Sequence, residues 1–429
     1  MPRYCGIDFG TSNSVVTILS DAGEEVIREP SLIYFPEHAE TTVERHCGAA
    51  AVQHWVGDSM RGRFFQSVKT ILPDKGFTHT TINGKKFSAS DLVAVMLRFL
   101  RQAAEERAGE PIQRAVFGRP ARFGANDEED RVAHDRLREA IEQAGFTDAR
   151  FELEPVAGAH AYADKAVGLQ AGREETVLVA DHGGGTSDFT LFVLGLGDDG
   201  LPESRRILAT HGIRAGGDGF DSAIMWNRIV DYFGHGSHYE SFGKYLPVPV
   251  HIYHIISRWD QIHFLKTLKY REELHYFLRT SDNPLALRRL IKLVEEDLGY
   301  FLFQAIEAAK ISLSDASEAR VLYERGKLLV DEAVSRGQFD SYIDPDLERI
   351  AKAVDTTLGR ADPAVDPEDV STVFLTGGSS RIPAIHRIMA ERLPAARLVD
   401  DADQFQSVSR GLALAARKRG FAASGDNRE

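Results

Sequence analysis

Cysteine is almost missing from this chain. Cys5 and Cys47 are the only two in 429 residues, which excludes a disulfide framework and a four-cysteine zinc site and fits a reducing compartment. Excess basic charge is missing too. Asp and Glu number 64 against 51 Lys and Arg, a net charge of −13, which argues against a nucleic-acid partner or attraction to anionic membrane. No apolar run approaches transmembrane length, and Met1-Pro2-Arg3-Tyr4-Cys5 has no secretory core. No G-x-x-x-x-G-K-[ST] segment occurs, so a P-loop is excluded. What is present, 43% hydrophobic and 27% charged residues, reads as a globular protein long enough for several domains, expected to be soluble and cytoplasmic.

One short construction occurs twice. Tyr4-Cys5-Gly6-Ile7 leads into Asp8-Phe9-Gly10-Thr11-Ser12-Asn13-Ser14 and then Val15 to Leu19; Val177-Leu178-Val179-Ala180 leads into Asp181-His182-Gly183-Gly184-Gly185-Thr186-Ser187-Asp188 and then Phe189 to Val193. Each copy is an apolar strand, an aspartate, a glycine and hydroxyl turn, and a second apolar strand. Such a hairpin offers backbone N–H groups and hydroxyls to an anion, with a carboxylate beside them. The repetition predicts two related lobes. Two such turns facing each other would hold a polyphosphate and its metal, the pattern of an α/β, actin-like nucleotide-binding fold. A third glycine turn, Thr376-Gly377-Gly378-Ser379-Ser380-Arg381, follows a strand at Val370 to Leu375 and precedes a helix from Ile382 to Leu393. That helix N-terminus suits a phosphate or ribose.

Between the turns, the periodicity predicts helices at Asp91 to Arg107 (capped by Ser90 or Asp91), Asp127 to Ala144, Val156 to Val167, Phe220 to Phe233 and Leu287 to Leu313. Ala115 to Gly118 and Phe151 to Pro155 read as strand segments. Residues 235 to 285 are rich in His and aromatics and yield no clear pattern. Lobe I is expected over 1–168, with a peripheral subdomain at about 37–110 and a returning C-terminal helix at 405–419. Lobe II is expected over 169–404, with a subdomain at about 222–314, and 420–429 as a disordered tail.

These segments resemble the nucleotide-binding domain of the DnaK-type chaperones, the heat shock protein 70 family, and within it a short YegD-like bacterial branch. Gly6 to Ser14 is similar to that family's first phosphate motif, Asp181 to Asp188 to its second and Phe374 to Pro383 to its adenosine motif. Glu154-Pro155-Val156-Ala157-Gly158-Ala159 resembles its connecting element, and Ser67 to Leu72 the segment bearing its catalytic lysine. The resemblance implies an actin-like ATPase fold, each lobe on an RNase H-like sheet, with ATP or ADP and Mg2+ as cofactors. It implies that Lys69, Glu154, Asp181 and Thr186 serve hydrolysis and that Asp8, Glu154 and Asp181 surround hydrated magnesium. Gly10, Thr11, Ser12, Asn13, Gly183, Gly184, Gly185 and Thr186 would cradle phosphates. Gly216, Gly217, Glu307, Lys310, Ser314, Gly377, Gly378, Ser379 and Arg381 would hold the rest of the nucleotide.

The departures carry consequences. Ile311 stands where these chaperones have an arginine on the adenine, and His182 replaces an apolar residue. Arg131 and Arg136 compete for the arginine that relays nucleotide state. No linker or peptide-binding domain is recognisable after Arg419, so a peptide-clamping cycle within this chain is not expected; a client or partner protein is left open. Gly195-Leu196-Gly197-Asp198-Asp199-Gly200 matches G-x-G-x-x-G but precedes Leu201-Pro202 and reads as a hairpin turn. His235, His238, His251, His254 and His263 suggest packing more than zinc. The rivals to a slow ATPase are a small-molecule kinase of the same superfold and a non-hydrolysing nucleotide-dependent scaffold.

Overall fold

The two hairpins foreseen in the sequence are the centres of two sheets with one topology. The first contains β1 (Tyr4–Asp8), β2 (Asn13–Ser20), β3 (Gly23–Pro30), β4 (Arg114–Arg119) and β5 (Asp148–Leu153), in the order β5-β4-β1-β2-β3. The second contains β6 (Glu175–His182), β7 (Ser187–Leu196), β8 (Pro202–Ile213), β9 (Thr372–Thr376) and β10 (Arg397–Asp400), in the order β10-β9-β6-β7-β8. In each, the hairpin gains a third antiparallel strand on one side and two parallel strands on the other. This 3-2-1-4-5 order is that of an RNase H-like sheet. The computed structural model describes residues 2–37, 44–58, 61–120, 122–124, 126–165, 173–196, 202–401 and 406–423. The glycine turn at 197–200, the expected lobe junction up to residue 172 and the final residues 424–429 lie outside these.

Contacts divide the chain into two compact units. One comprises Met1–Arg214, Ile350–Ser380 and His386–Glu429, and so contains both sheets; the other comprises Ala215–Arg349 with Arg381–Ile385. In the first unit, one face of the β1 sheet is covered by the helices Ala89–Ala108 and Asp127–Gln143, whose Leu92, Met96, Leu100, Leu137 and Ile141 join Ile7, Phe9 and Phe117 in a single core. The other face receives the helix Ser407–Lys418. The approach is close: a Cβ on Gly6 would fall 2.2 Å from the Ser409 carbonyl oxygen, and one on Gly411 1.8 Å from that of Ala157. The helix Glu154–Lys165 joins the two sheets, because Ala157 packs with Val116 and Leu412 while Ala159, Tyr162 and Ala163 pack on Val177, Val179 and Phe374. Each such fully buried aliphatic or aromatic side chain contributes roughly 1.5–3 kcal/mol from burial.

Four local expectations are corrected. Ser88, not Ser90 or Asp91, caps the helix Ala89–Ala108: its hydroxyl accepts from the Asp91 N–H at 3.1 Å while the Asp91 carboxylate accepts from the Ser88 N–H at 2.8 Å, a reciprocal capping box. The helix foreseen at Val156 begins two residues earlier, placing Glu154 itself in its first turn. The long helix foreseen over Leu287 to Leu313 is two, Pro284–Glu295 and Gly299–Asp315. Asp297 takes a left-handed φ of 53° between them and pairs with Lys266, which stops the first helix. The tail is ordered where it is described: Phe421 and Ala423 are buried, the Arg114 and Arg150 guanidinium carbons lie 4.2 and 4.3 Å from the Phe421 ring centroid, and the Gln113 and Arg114 N–H groups both donate to the Ala423 carbonyl. A buried aromatic with two cations on it does not fray.

In the second unit, the segment after β8 enters the helix Gly217–Ile224, which continues through a π turn, Met225–Ile229, and a tight turn, Val230–Phe233. The uninterpreted stretch forms a hairpin, His238–Ser241 with Lys244–Pro247, and the helices Val250–Ile256 and Leu268–Thr280. Two of its histidines are engaged locally: His254 stacks on Trp226 at 4.2 Å, and His235 shares a hydrogen bond with Asp231 at 3.1 Å. Among the described residues no helix is long and apolar enough to cross a membrane.

Candidate functional site

Both hairpin turns belong to the first unit, and they approach each other. A Cβ built on Gly185 would lie 3.5 Å from the Thr11 hydroxyl. The first turn is tight, since a Cβ on Gly10 would strike the Asn13 carbonyl at 2.0 Å, so only glycine fits there. Two serines brace it. Ser31 donates its N–H to the Ser12 carbonyl and its hydroxyl to the Gly10 carbonyl, and Ser67 donates its hydroxyl to the Thr11 carbonyl at 2.6 Å. The second turn is closed by the Gly183 N–H donating to the Thr186 carbonyl at 2.9 Å. The third abuts it: Gly377 has φ 83°, a Cβ there would sit 2.4 Å from the His182 carbonyl and 2.5 Å from an Asp181 carboxylate oxygen, and the Ser379 hydroxyl donates to the Gly183 carbonyl at 3.2 Å.

The charged residues gather around these turns. Asp8 ends β1 opposite Val15, Asp181 pairs in register with Asp188 at the mouth of the second hairpin, and Glu154 opens its helix. Ser67 adopts a left-handed φ of 52° that starts the tight turn Val68–Ile71, which aims Lys69 inward; its ammonium donates to Glu154 at 2.8 Å, both side chains nearly buried. Burial pulls the Lys69 pKa down, but Glu154, Asp8 and Asp188 together hold it above its ordinary value. Asp8 is raised by burial and then by Glu154, against Lys69; Asp181 is raised well above the carboxylate range by burial, then Asp188, Asp8 and Glu154. With one ammonium among four carboxylates, full ionisation would leave an excess of negative charge, which Asp8 and Asp181 relieve by holding protons. A divalent cation would also relieve it. Among the described residues no group of three His, Cys, Asp or Glu is placed to ligate a metal directly. His182 is fully buried, its Nδ1 2.8 Å from the Ser187 hydroxyl, and contributes packing on Phe189.

The remaining candidates belong to the second unit, except Gly378, which lies in the first. Gly216 precedes and Gly217 begins the helix Gly217–Ile224, Glu307 is exposed, and Ser314 is half-buried. Lys310 is not turned outward. Its ammonium donates to Asp221 at 2.8 Å and to the Gly217 carbonyl at 3.1 Å, enclosed on all sides, and Ile311 beside it is 57% exposed. Burial pushes Asp221 up to about 7 with Lys310 opposing, so the two form a coupled internal pair. Arg381 is exposed and Gly378 opens the tight turn Gly378–Arg381. Sequence reasoning missed Ser31, Ser67, Asp188 and Asp221. For Asp188 the signal was at hand, since the hairpin register sets it opposite Asp181; the others act across long loops.

Residues 4–240 and 295–418 match the family model described as Hsp70 protein. The chain belongs to the Hsp70 family. Its paired sheets are accordingly those of the actin-like ATPase fold. Among curated proteins this Hsp70 chain is 29% identical over 420 residues to the chaperone protein DnaK of Deinococcus proteolyticus, an alignment covering 91% of this chain and 55% of that one. It is 28% identical over 419 residues to the chaperone protein DnaK of Thermus thermophilus, covering 92% and 57%. The chain spans about half the length of the curated relatives it matches. The unmatched interval, 241–294, overlaps most of the 235–285 stretch of the second unit that carries no readable pattern in the sequence.

Proposed function

We propose that this Hsp70-family chain binds ATP and ADP with magnesium at the facing turns and hydrolyses ATP slowly, as a switch for a partner protein. The observation that supports this most is the enclosure of Lys69 by Glu154, Asp8 and Asp188 beside two glycine turns that nearly touch. The N–H groups and hydroxyls of Gly10 to Asn13 and Gly183 to Thr186 would hold phosphate oxygens without needing to reorganise, because Ser31, Ser67 and Ser379 already fix the loops. Lys69, kept protonated by its carboxylate neighbours, would orient the attacking water and offset charge on the terminal phosphate. Magnesium, when bound, would neutralise phosphate charge, held through water by Asp8, Glu154 and Asp181. Glu307, Ser314, Gly216, Gly217, Gly378 and Arg381 are proposed for the nucleoside and sugar, with Lys310 supporting them from within. A chaperone-like role then requires a partner that binds one nucleotide state better than the other, since equal affinity shifts nothing.

Isothermal titration with ATP and ADP in the presence of magnesium tests the reading. One saturable site for each is expected, and absence of binding by both would discard it.

A further inference from the structure

We infer that Arg136 is a positioning residue for Lys69, acting through the backbone of the segment that leaves the lysine's turn. The proposal rests on the reading that Lys69 acts on the terminal phosphate. The segment from Leu72 to Phe77, which leaves the turn Val68–Ile71, contains Pro73 and Gly76 and belongs to no strand or helix, so its carbonyls are not aligned in a ladder. The Arg136 guanidinium, on the helix Asp127–Gln143, gathers three of them and that of Ile71. One terminal nitrogen donates to the carbonyls of Ile71 at 3.2 Å, Leu72 at 2.8 Å and Asp74 at 2.8 Å, and the other to that of Phe77 at 3.1 Å. Arg131, on the same helix, is exposed.

The turn is thereby held at both ends. Ser67 ties its entry to the first phosphate turn through the Thr11 carbonyl, and Arg136 ties its exit to the helix. The helix is itself anchored at its start, where Arg119 grips Asp130 with two bonds of 3.0 and 2.8 Å and Asp130 accepts from the Phe123 N–H at 2.8 Å. Lys75 reaches the same helix at Glu128, at 2.8 Å. Between these two anchors the Lys69 ammonium meets Glu154 at 2.8 Å. A planar fork of donors is suited to four divergent carbonyls in a way that a single ammonium is not. An arginine whose only duty was loop stability would have no reason to alter turnover separately from binding.

The test compares wild type, Arg136→Ala, Arg136→Lys, Lys69→Ala and the Lys69→Ala/Arg136→Ala double variant. Three quantities are read: single-turnover ATP hydrolysis, equilibrium Mg-ATP affinity and hydrogen exchange over residues 67–77. For Arg136→Ala we expect turnover to fall about 10- to 100-fold with affinity changed by less than about threefold. Arg136→Lys should lie between it and wild type. Exchange should accelerate at Leu72, Asp74 and Phe77, whose N–H groups close this segment, and be unchanged in the β1 sheet, which shows that the variant is folded. In the Lys69→Ala background the Arg136 substitution should have no further effect on rate. Unchanged exchange over 67–77, or an equal rate loss with and without Lys69, overturns the proposal. A wild type that binds but never hydrolyses ATP removes the catalytic reading instead, and accelerated exchange without any turnover to position would reduce Arg136 to a loop brace.

Discussion

Lys69 and His182 show how burial is used in opposite ways by single residues. Lys69 is buried charged because carboxylates surround it. On the proposed reading its work is done in the transition state, so Lys69→Ala should lower single-turnover hydrolysis by about 10²–10³ while leaving nucleotide affinity nearly unchanged. Rapid-quench kinetics beside titration decide this, and equal turnover would take Lys69 out of the site. His182 is buried neutral. Burial, with His386 adding to it, depresses its pKa from 6.5 to about 3. The unfolded chain takes up that proton near its ordinary value and the folded chain does not, so stability present above pH 6.5 is lost as pH falls through the interval toward 3. The nucleotide- and metal-free protein should therefore lose about 2 kcal/mol between about pH 7 and pH 5 from this residue. Urea midpoints would fall with pH in wild type and less steeply in His182→Gln; parallel slopes would show that the buried imidazole is not responsible. Lys310 marks where residue-scale reading stops. Its place on a helix is visible in the pattern, but its partner Asp221 is on another helix far away in sequence, and only packing brings the two together.

Secondary-structure elements were legible where their cause is local. Each hairpin is written in period-two apolar strands around a glycine turn, and both form in the register that puts the aspartates at the turn. The third turn carries a sharp prediction of its own. Gly377→Ala introduces both a strained φ of 83° and a clash with His182 and Asp181, so it should cost about 2–4 kcal/mol in denaturant unfolding. Gly183→Ala, where a Cβ meets only the Thr186 carbonyl at 3.6 Å, should cost less than about 1 kcal/mol. Comparable losses at the two positions would mean that the backbone relaxes around Gly377. Elements whose limits depend on distant partners were misread. The break at Asp297 relies on Lys266, and the order of Phe421 relies on Arg114 and Arg150. The Ser88 cap is a different case: the Ser-x-x-Asp spacing was present locally, and the apolar stripe drew the boundary two residues too late.

At the scale of the whole molecule, a ligand that binds only the folded chain stabilises it in proportion to its excess over Kd. Mg-ADP at about a hundredfold excess should add about 2.7 kcal/mol and raise the thermal midpoint by several degrees. Chelating magnesium should remove most of that rise, because the carboxylate surplus around Lys69 would then face the phosphates unscreened. A midpoint indifferent to nucleotide would contradict the proposed site, and a rise indifferent to chelation would contradict the role given to Asp8 and Asp181.

The helix Ser407–Lys418 and the Phe421 wedge that follows it cover a sheet whose first strand is Tyr4–Asp8. On the ribosome β1 emerges roughly 400 residues before the pieces that cover it. At roughly 5–20 residues per second, β1 and its neighbours wait for tens of seconds before Leu412 and Phe421 exist to cover Val116. Throughout that interval the nascent chain carries an apolar face with no occupant. The first sheet therefore cannot gain its full cover before Leu412 and Phe421 have been made.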